Sequence, residues 1–214
     1  MPLKLDVFDF DGTLFHSPLD TPENRQKYER ATGLPWLIDK EKSRELSKKH
    51  GKFIGMRRGW WGRGETLEPP LVAVPAPLEW FAEKPCADFR ASKADPEALT
   101  TIMTGRYAKL RPHVLRILDE GGLVNVRRKH SKDGTLFCTV EDIDVQVFCL
   151  GEDGPGGSKD KPGDTFPWKV WMIQQFLETH PDITEVRIWE DREEHIVKFK
   201  ELDLGVQVSM QAIA

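Results

Sequence analysis

Apolar and polar residues alternate from Leu3 and then run together as Val7-Phe8-Asp9-Phe10, until Asp11-Gly12 breaks the run with a turn signal. This pattern predicts a buried strand with acidic residues at its carboxyl end. From Ser17 to about Asp95 the chain is polar, charged and Pro-rich, with one helical stretch near Asp39 to Gly51 and a Pro-punctuated segment from Pro69 to Pro85. Residues 17–95 therefore read as an insertion into a core made of residues 1–16 and 96–214.

Order returns at Leu99-Thr100-Thr101-Ile102-Met103, a short β-branched run that ends in Thr104-Gly105-Arg106. Leu110, Val114, Ile117 and Leu118 follow at helical spacing up to Gly121-Gly122. Two β-rich runs, Thr135 to Val140 and Val145 to Leu150, precede a Gly/Pro/Asp/Lys loop from Gly151 to Asp164 and a helix bearing Trp168, Trp171, Met172, Gln175 and Phe176. Glu185 to Trp189 predicts a strand ending at Glu190-Asp191, with a helix through Phe199 and a last strand within Gly205 to Ile213. Strands alternating with helices predict an α/β fold, a mainly parallel, doubly wound sheet with helices on both faces. In such a sheet, ligands bind in the crevice at the carboxyl ends of the strands.

Composition narrows the function classes. Among 214 residues, 31 Lys and Arg against 35 Asp and Glu leave a net charge of −4, which suits neither a disordered tail nor a wholly basic nucleic-acid coat. The three cysteines, Cys86, Cys138 and Cys149, have no CxxC spacing, so no zinc site or disulfide framework is expected. Asp6 and Asp9 interrupt the stretch in which a signal peptide would need an apolar run, and no long apolar span occurs. A cytoplasmic or nuclear protein without membrane partners is expected.

Residues i and i+2 of a strand share a face, so Asp9 and Asp11 can reach one site where the strand gives way to a turn. Two carboxylates converging there repel, which predicts a raised pKa for one of them and suits a nucleophile beside a general acid. Gly12 permits a sharp turn, after which backbone amides, including that of Thr13, can face an anion.

The run Val7-Phe8-Asp9-Phe10-Asp11-Gly12-Thr13-Leu14 resembles the DxDGT signature of the haloacid-dehalogenase-like (HAD-like) hydrolases. The family's remaining motifs follow in order: Thr104 of Thr104-Gly105-Arg106 resembles the second, Lys169 the third, and Glu190-Asp191 the acidic fourth. The resemblance implies a Rossmann-like core in which Asp9 attacks phosphorus and becomes an aspartyl-phosphate. It implies that Asp11 protonates the leaving oxygen and then deprotonates the attacking water, a second carboxylate that the superfamily's dehalogenases lack. Thr104 and Lys169 would hold phosphate oxygens, with Gly12, Thr13, Gly105 and Arg106 lining the substrate. Mg²⁺ would sit among Asp9, the backbone carbonyl of Asp11 and the fourth motif. Asp191 is favoured as the direct ligand, and Glu190 as a ligand through water or an orienting partner of Lys169.

Within the superfamily the chain is most similar to the HAD domain of Swiss Army Knife RNA repair proteins, with some likeness to polynucleotide 3′-phosphatases. The features that carry this are Gly59-Trp60-Trp61, Met103-Thr104-Gly105-Arg106, Thr165-Phe166-Pro167-Trp168-Lys169, and Trp189-Glu190-Asp191-Arg192 followed by His195 and Phe199. The insertion resists alignment and takes the place of a cap. Its segment from Lys40 to Arg63 carries nine basic residues against two acids, a charge that can steer a polyanion. Within it, Trp60 and Trp61 either stack on bases of a single-stranded RNA or DNA end or pack into the protein's own core.

Other features have plain structural readings. Asp133-Gly134-Thr135 repeats the DGT tripeptide, but Ser131 stands at the nucleophile position and a basic stretch precedes it, so a hairpin turn is expected. Arg127-Arg128-Lys129-His130 with Lys132 reads as a basic surface loop. Residues 151–164 lack the GxxxxGK[ST] sequence of a nucleotide-binding loop. Arg106 either grips phosphate or caps the sheet edge, Arg192 and His195 support the site, and Trp168, Trp171 and Phe176 belong to the core. The expected function is a Mg²⁺-dependent phosphomonoesterase acting on a phosphorylated nucleic-acid or nucleotide end. A small-metabolite phosphatase and a catalytically idle nucleic-acid-binding module are the alternatives.

Overall fold

Strand β1, Lys4–Phe8, owes its central place to apolar residues on both of its faces, as parallel strands buried on two sides require. A computed structural model of the chain describes residues 3–36, 40–51, 60–130, 136–157 and 163–213, except for the side chains of His130, Leu136 and Phe137. On one side β1 pairs in parallel with β2, Ala98–Tyr107, and on the other with β6, Glu185–Trp189. Outside these lie β5, Val145–Leu150, next to β2, and β7, Gln207–Met210, next to β6, giving the all-parallel order β5-β2-β1-β6-β7. The chain leaves β1 for β2 on one side and later returns to β6 on the other, so the topological switch falls at β1.

Each face of the sheet buries its own helices. Leu5, Val7, Met103, Val186 and Ile188 pack against Trp168, Met172, Ile173 and Phe176 of α5, Thr165–Thr179, and against Phe199 of α6, Glu193–Lys200. On the opposite face Phe8 stacks on Trp189 with ring centroids 4.0 Å apart and meets Phe89 edge-on at 5.1 Å. Phe89 belongs to α3, Glu83–Ala94, which also ties to the sheet through Ser92–Thr100 (2.7 Å) and Trp189–Asp88 (2.9 Å) hydrogen bonds. Helix α4, Arg111–Glu120, buries Val114, Leu115, Ile117 and Leu118, and packs on a separate antiparallel pair, β3, Val126–His130, and β4, Leu136–Val140. The α/β parallel architecture expected from the alternation of elements is the one observed.

Several boundaries differ from expectation. The chain divides into two compact units, residues 1–16 with 78–214 and residues 17–77, so the second part of the core begins at Leu78 rather than at residue 96. Helix α3 was hidden in sequence because it opens with Pro85 in its first turn, where the missing N–H costs nothing, and its buried positions include Cys86 and Ser92 rather than a strong apolar stripe. The basic run Arg127 to His130 is a strand, with Arg128 drawn to Asp119 of α4 and Arg127 to Glu141, 2.6 Å away. Cys138 on β4 faces α4, its Sγ 3.8 Å from the Pro112 carbonyl. The turn expected at Asp133-Gly134-Thr135 lies outside the described residues, while the strands flanking it pair as a hairpin would.

The second unit has its own small core. Helix α1, Pro22–Thr32, also unexpected, is capped by Thr21, whose hydroxyl accepts from the Asn24 amide at 3.2 Å, with Pro22 opening the helix. Its Tyr28 joins Trp36, Trp60 and Leu71 in a buried cluster, and the Arg63 guanidinium lies 4.7 Å over Tyr28 and 4.6 Å over Trp36. The helix expected near residues 39–51 is α2, Lys40–His50, a basic helix burying Ser43 and Leu46. Lys52, Phe53, Arg57, Arg58 and Gly59 of the basic segment lie outside the described residues. Among the described residues all three cysteines are free, and no helix is long and apolar enough to cross a membrane.

One charged pair is built into the sheet. Asp6, wholly buried on β1, accepts two hydrogen bonds from its register partner Arg187 on β6, at 2.7 and 2.5 Å. Asp6→Ala is expected to destabilise the fold by about 3 kcal/mol, the low end for a broken buried pair because Arg187 is partly exposed and regains water. Urea unfolding checks this: a loss under about 1 kcal/mol would mean that the pair contributes little net stability.

Candidate active site at the carboxyl edge of the sheet

Four segments meet where the strands of the first unit end. Asp9 follows β1, its amide bonded to the Trp189 carbonyl at 2.9 Å, so it extends the ladder beside the end of β6. Glu190 and Asp191 follow β6 directly, Thr104 to Arg106 close β2, and Lys169 comes from the second turn of α5. Lys169 and Trp168 are adjacent in sequence yet serve different neighbours: Trp168 joins the apolar core, while the Lys169 ammonium is buried among acids.

Lys169 Nζ lies 2.7 Å from Asp9 Oδ1 and 2.7 Å from Glu190 Oε2, and all three side chains are essentially excluded from solvent. Burial works against the Lys169 charge, but the two carboxylates outweigh it and hold its pKa above the usual lysine value. Glu190 has further donors. His195 Nδ1 stands 3.2 Å from Oε2, and the Arg192 side chain lies 3.2 Å from Oε1. Burial tends to raise the Glu190 carboxyl, yet Lys169 and His195 outweigh it and keep it well below the ordinary glutamate range. Burial pushes Asp9 up to about 7, with Lys169 opposing the shift and Glu190 adding to it. The carboxylate that acts on Asp9 as a like charge is thus Glu190, where the sequence had pointed to Asp11.

Asp11 turns to a different partner. The Arg106 guanidinium, wholly buried, grips it with Nε at 3.2 and 3.0 Å from its two oxygens and Nη2 at 2.9 Å from Oδ1. Thr104 Oγ1 accepts from the Arg106 amide at 3.2 Å and lies 3.5 Å from Asp11 Oδ2. Arg106 thus turns its Nε and Nη2 to the Asp11 carboxylate, a two-pronged, charge-assisted grip. Linear spacing carries no signal for this pairing, because the burial of Arg106 and its approach to Asp11 are set by folding.

The turn after Asp11 is shaped by glycine. Gly12 sits at φ 78°, and a Cβ placed on it would fall 2.0 Å from Asp191 Oδ2, so the bare backbone lets the Asp191 carboxylate close in on the turn. Thr13 is wholly buried, and its hydroxyl has no hydrogen-bond partner among the described residues. At Gly105 a Cβ would come within 3.0 Å of Thr165 Oγ1, bringing the first residue of α5 against the end of β2. Asp9, Glu190 and Asp191 each place a carboxylate oxygen within 4.8 Å of the others, a hard, anionic donor set of the kind that holds divalent cations. Asp191 is raised above the usual range by burial and by the Glu190 charge.

The two tryptophans for which base stacking and core packing both stood open part company. Trp60 is buried in the second unit, 4.8 Å from Trp36, and its indole N–H donates to the Pro18 carbonyl at 2.6 Å, so no face of it is left for a base. Trp61 is 40% exposed on the same unit.

The profile of HAD domain family 1 in Swiss Army Knife RNA repair proteins matches residues 44–212, well over half of the chain. The matched span takes in Thr104 to Arg106, Lys169 and Glu190-Asp191; the Asp9-to-Gly12 turn precedes it and owes its place in the site to the pairing of β1. Uncharacterized protein YMR265C of Saccharomyces cerevisiae is 25% identical over 206 residues, covering 92% of this chain and 36% of that protein. The chain thus spans about a third of that relative's length. No solved structure matches it. With its parallel sheet and the acid pair that closes β6 beside the end of β1, the chain belongs to the HAD domain family of Swiss Army Knife RNA repair proteins.

Proposed function

We propose that this domain is a Mg²⁺-dependent phosphomonoesterase that removes a phosphate from the end of a single-stranded nucleic acid through an intermediate on Asp9. The observation that carries this reading is the placement of Asp9 on the Lys169 ammonium at 2.7 Å, with Asp191 and Glu190 beside it and Asp11 two residues away on a separate cation. Phosphoryl transfer depends mainly on positioning and charge neutralisation, and these residues supply both.

In the proposed cycle Asp9 attacks phosphorus, the bond to the leaving oxygen breaks, and that oxygen takes a proton from Asp11. Water then attacks phosphorus of the aspartyl-phosphate and gives its proton to Asp11, releasing phosphate and restoring Asp9. Arg106 and Thr104 aim Asp11. For Asp11 to carry a proton, one of its oxygens must leave the Arg106 fork, and substrate entry at the carboxyl edge is the occasion for that release. Lys169, fixed by Glu190, offsets negative charge gathering on the phosphoryl oxygens. Asp9, Asp191 and the Asp11 backbone carbonyl would hold Mg²⁺, which when bound adds positive charge for the phosphate and for the ionised form of Asp9. Glu190, saturated by Lys169, Arg192 and His195, serves as the anchor of Lys169 rather than as a direct ligand. The nucleic-acid substrate is supported by the family of RNA repair proteins to which the chain belongs and by the basic character of α2.

Phosphate release from a 3′-phosphorylated oligonucleotide and from an aryl phosphate, with Mg²⁺ or with chelator, tests the reading. Chelation is expected to abolish release, and Asp9→Asn to lower turnover by at least about a thousandfold. Release from the aryl ester alone would move the substrate to a small phosphometabolite. Salt-sensitive oligonucleotide binding without turnover of either ester would mark an idle fold.

The metal assignment has its own check. Gly12→Ala adds a Cβ that meets the Asp191 carboxylate, whereas Gly205→Ala, at a similar φ of 73° with nothing near its Cβ position, imposes only the backbone cost. Each is expected to cost about 1–2 kcal/mol for the left-handed backbone. Gly12→Ala alone is expected to weaken Mg²⁺ binding, read by calorimetry, by about tenfold or more, since Asp191 is pushed from its place. Equal Mg²⁺ affinity in the two variants would exclude Asp191 as a ligand.

A further inference from the structure

We infer that the segment following Arg106 grips the substrate's terminal nucleotides, with the Tyr107 ring as a stacking platform for a base and Lys109 as a contact to a backbone phosphate. The inference rests on the nucleic-acid reading above and assigns that reading its recognition residues. It begins from the shape of the end of β2. Between Thr104 and Tyr107 the register with β5 shifts, and Tyr107 comes opposite Leu150, the last residue of that strand. Gly105 lies against Thr165 of α5, and Arg106 is wholly buried on Asp11, so the two preceding residues are committed to the site. Tyr107 is not: it is 50% exposed, and its ring and hydroxyl have no ring contact or hydrogen bond among the described residues.

The Tyr107 ring thus stands open to solvent one residue from the arginine that aims the general acid, where a ligand at the site can cover it. A base does so readily, because every base presents a π face and stacking tolerates any sequence. The residues after Tyr107 add the second component. Ala108–Leu110 form a single 3₁₀ turn in which Leu110 is buried and Lys109 is exposed, without an ion-pair partner among the described residues. Arg111, next in line, is spent within the fold on the Val147 carbonyl and Glu152. An exposed aromatic ring with a free ammonium two residues on, both at the edge where phosphate chemistry is proposed, matches the pairing of stacking platform and backbone cation used to hold single strands.

The test compares wild type, Tyr107→Ala, Tyr107→Trp and Lys109→Ala on a short single-stranded oligonucleotide with a 3′-phosphate and on an aryl phosphate. Tyr107→Ala is expected to raise KM for the oligonucleotide by roughly 5- to 100-fold, the range for losing one stacked base, with kcat and the aryl-ester constants held. Tyr107→Trp is expected to restore the low KM. Lys109→Ala should flatten the salt dependence of the oligonucleotide KM by about 0.7 in log–log slope, one phosphate contact on a single strand. Equal loss on both esters, or a Trp variant no better than Ala, would make the ring structural and overturn the inference. An unchanged KM in Tyr107→Ala with wild-type preference for the oligonucleotide intact would overturn it while leaving the proposed function standing. A wild type that shows no preference for the oligonucleotide would remove the substrate reading, and the grip with it.

Discussion

The site depends on one buried ammonium shared by two carboxylates. Taking Lys169 out of water is costly, and so is burying Asp9 and Glu190; the arrangement is tolerable only because each charge lies 2.7 Å from an opposite one. Three elements must come together for this. Strand β1 brings Asp9, β6 brings Glu190, and α5 brings Lys169 on a turn whose other residues are held by the core on that face of the sheet. The apolar packing of α5 is thus what places the charge, and the ladder between β1 and β6 sets the spacing of the two acids that share it. One ammonium cannot fully satisfy two buried acids. Glu190, with Arg192 and His195 as additional partners, keeps its charge most firmly, and Asp9 is left as the more weakly held of the two. A weakly held acid beside a firmly charged one is the arrangement on which the proposed roles of Asp9 as nucleophile and cation ligand rest.

A second device keeps the acids of the first motif apart. Alternation along a strand would aim Asp9 and Asp11 to the same side, but the turn at Gly12 intervenes, and Arg106 captures Asp11 before it can share the Lys169 charge. Two carboxylates two residues apart therefore occupy separate electrostatic surroundings. Such separation is how one fold can assign different roles to the same functional group.

The described residues of this site belong to the first unit, and the second unit builds a different kind of core. There, apolar volume comes from Tyr28, Trp36, Trp60 and Leu71, with the Arg63 guanidinium lying over two of the rings. A unit of this size reaches burial through a few large side chains, because aromatic rings cover more area per residue than aliphatic ones. That explains why tryptophans that resemble base-stacking residues in sequence serve instead, in the case of Trp60, as packing.

The parallel sheet was legible in the sequence through its hydrophobic period and turn residues, and the resemblance to HAD-like hydrolases singled out Asp9, Thr104, Lys169, Glu190 and Asp191, residues that the structure brings to one edge of that sheet. Helices α1 and α3 were not legible, since polar and Pro-bearing helices are held by capping and tertiary contacts rather than by a strong apolar stripe. The basic run on β3 looked like a loop because its charges are answered by acids on α4 and beyond β4, neighbours that only folding supplies. The same holds within the site. Sequence named Arg106 and Glu190 as polar residues near the chemistry; which acid each base would hold depended on distances across strands far apart in the chain. Residue type and order determined which groups could do chemistry, and the packing of α5 and the turn at Gly12 decided which of them share a charge, because electrostatic pairing in a buried site is set by ångströms that no linear spacing encodes.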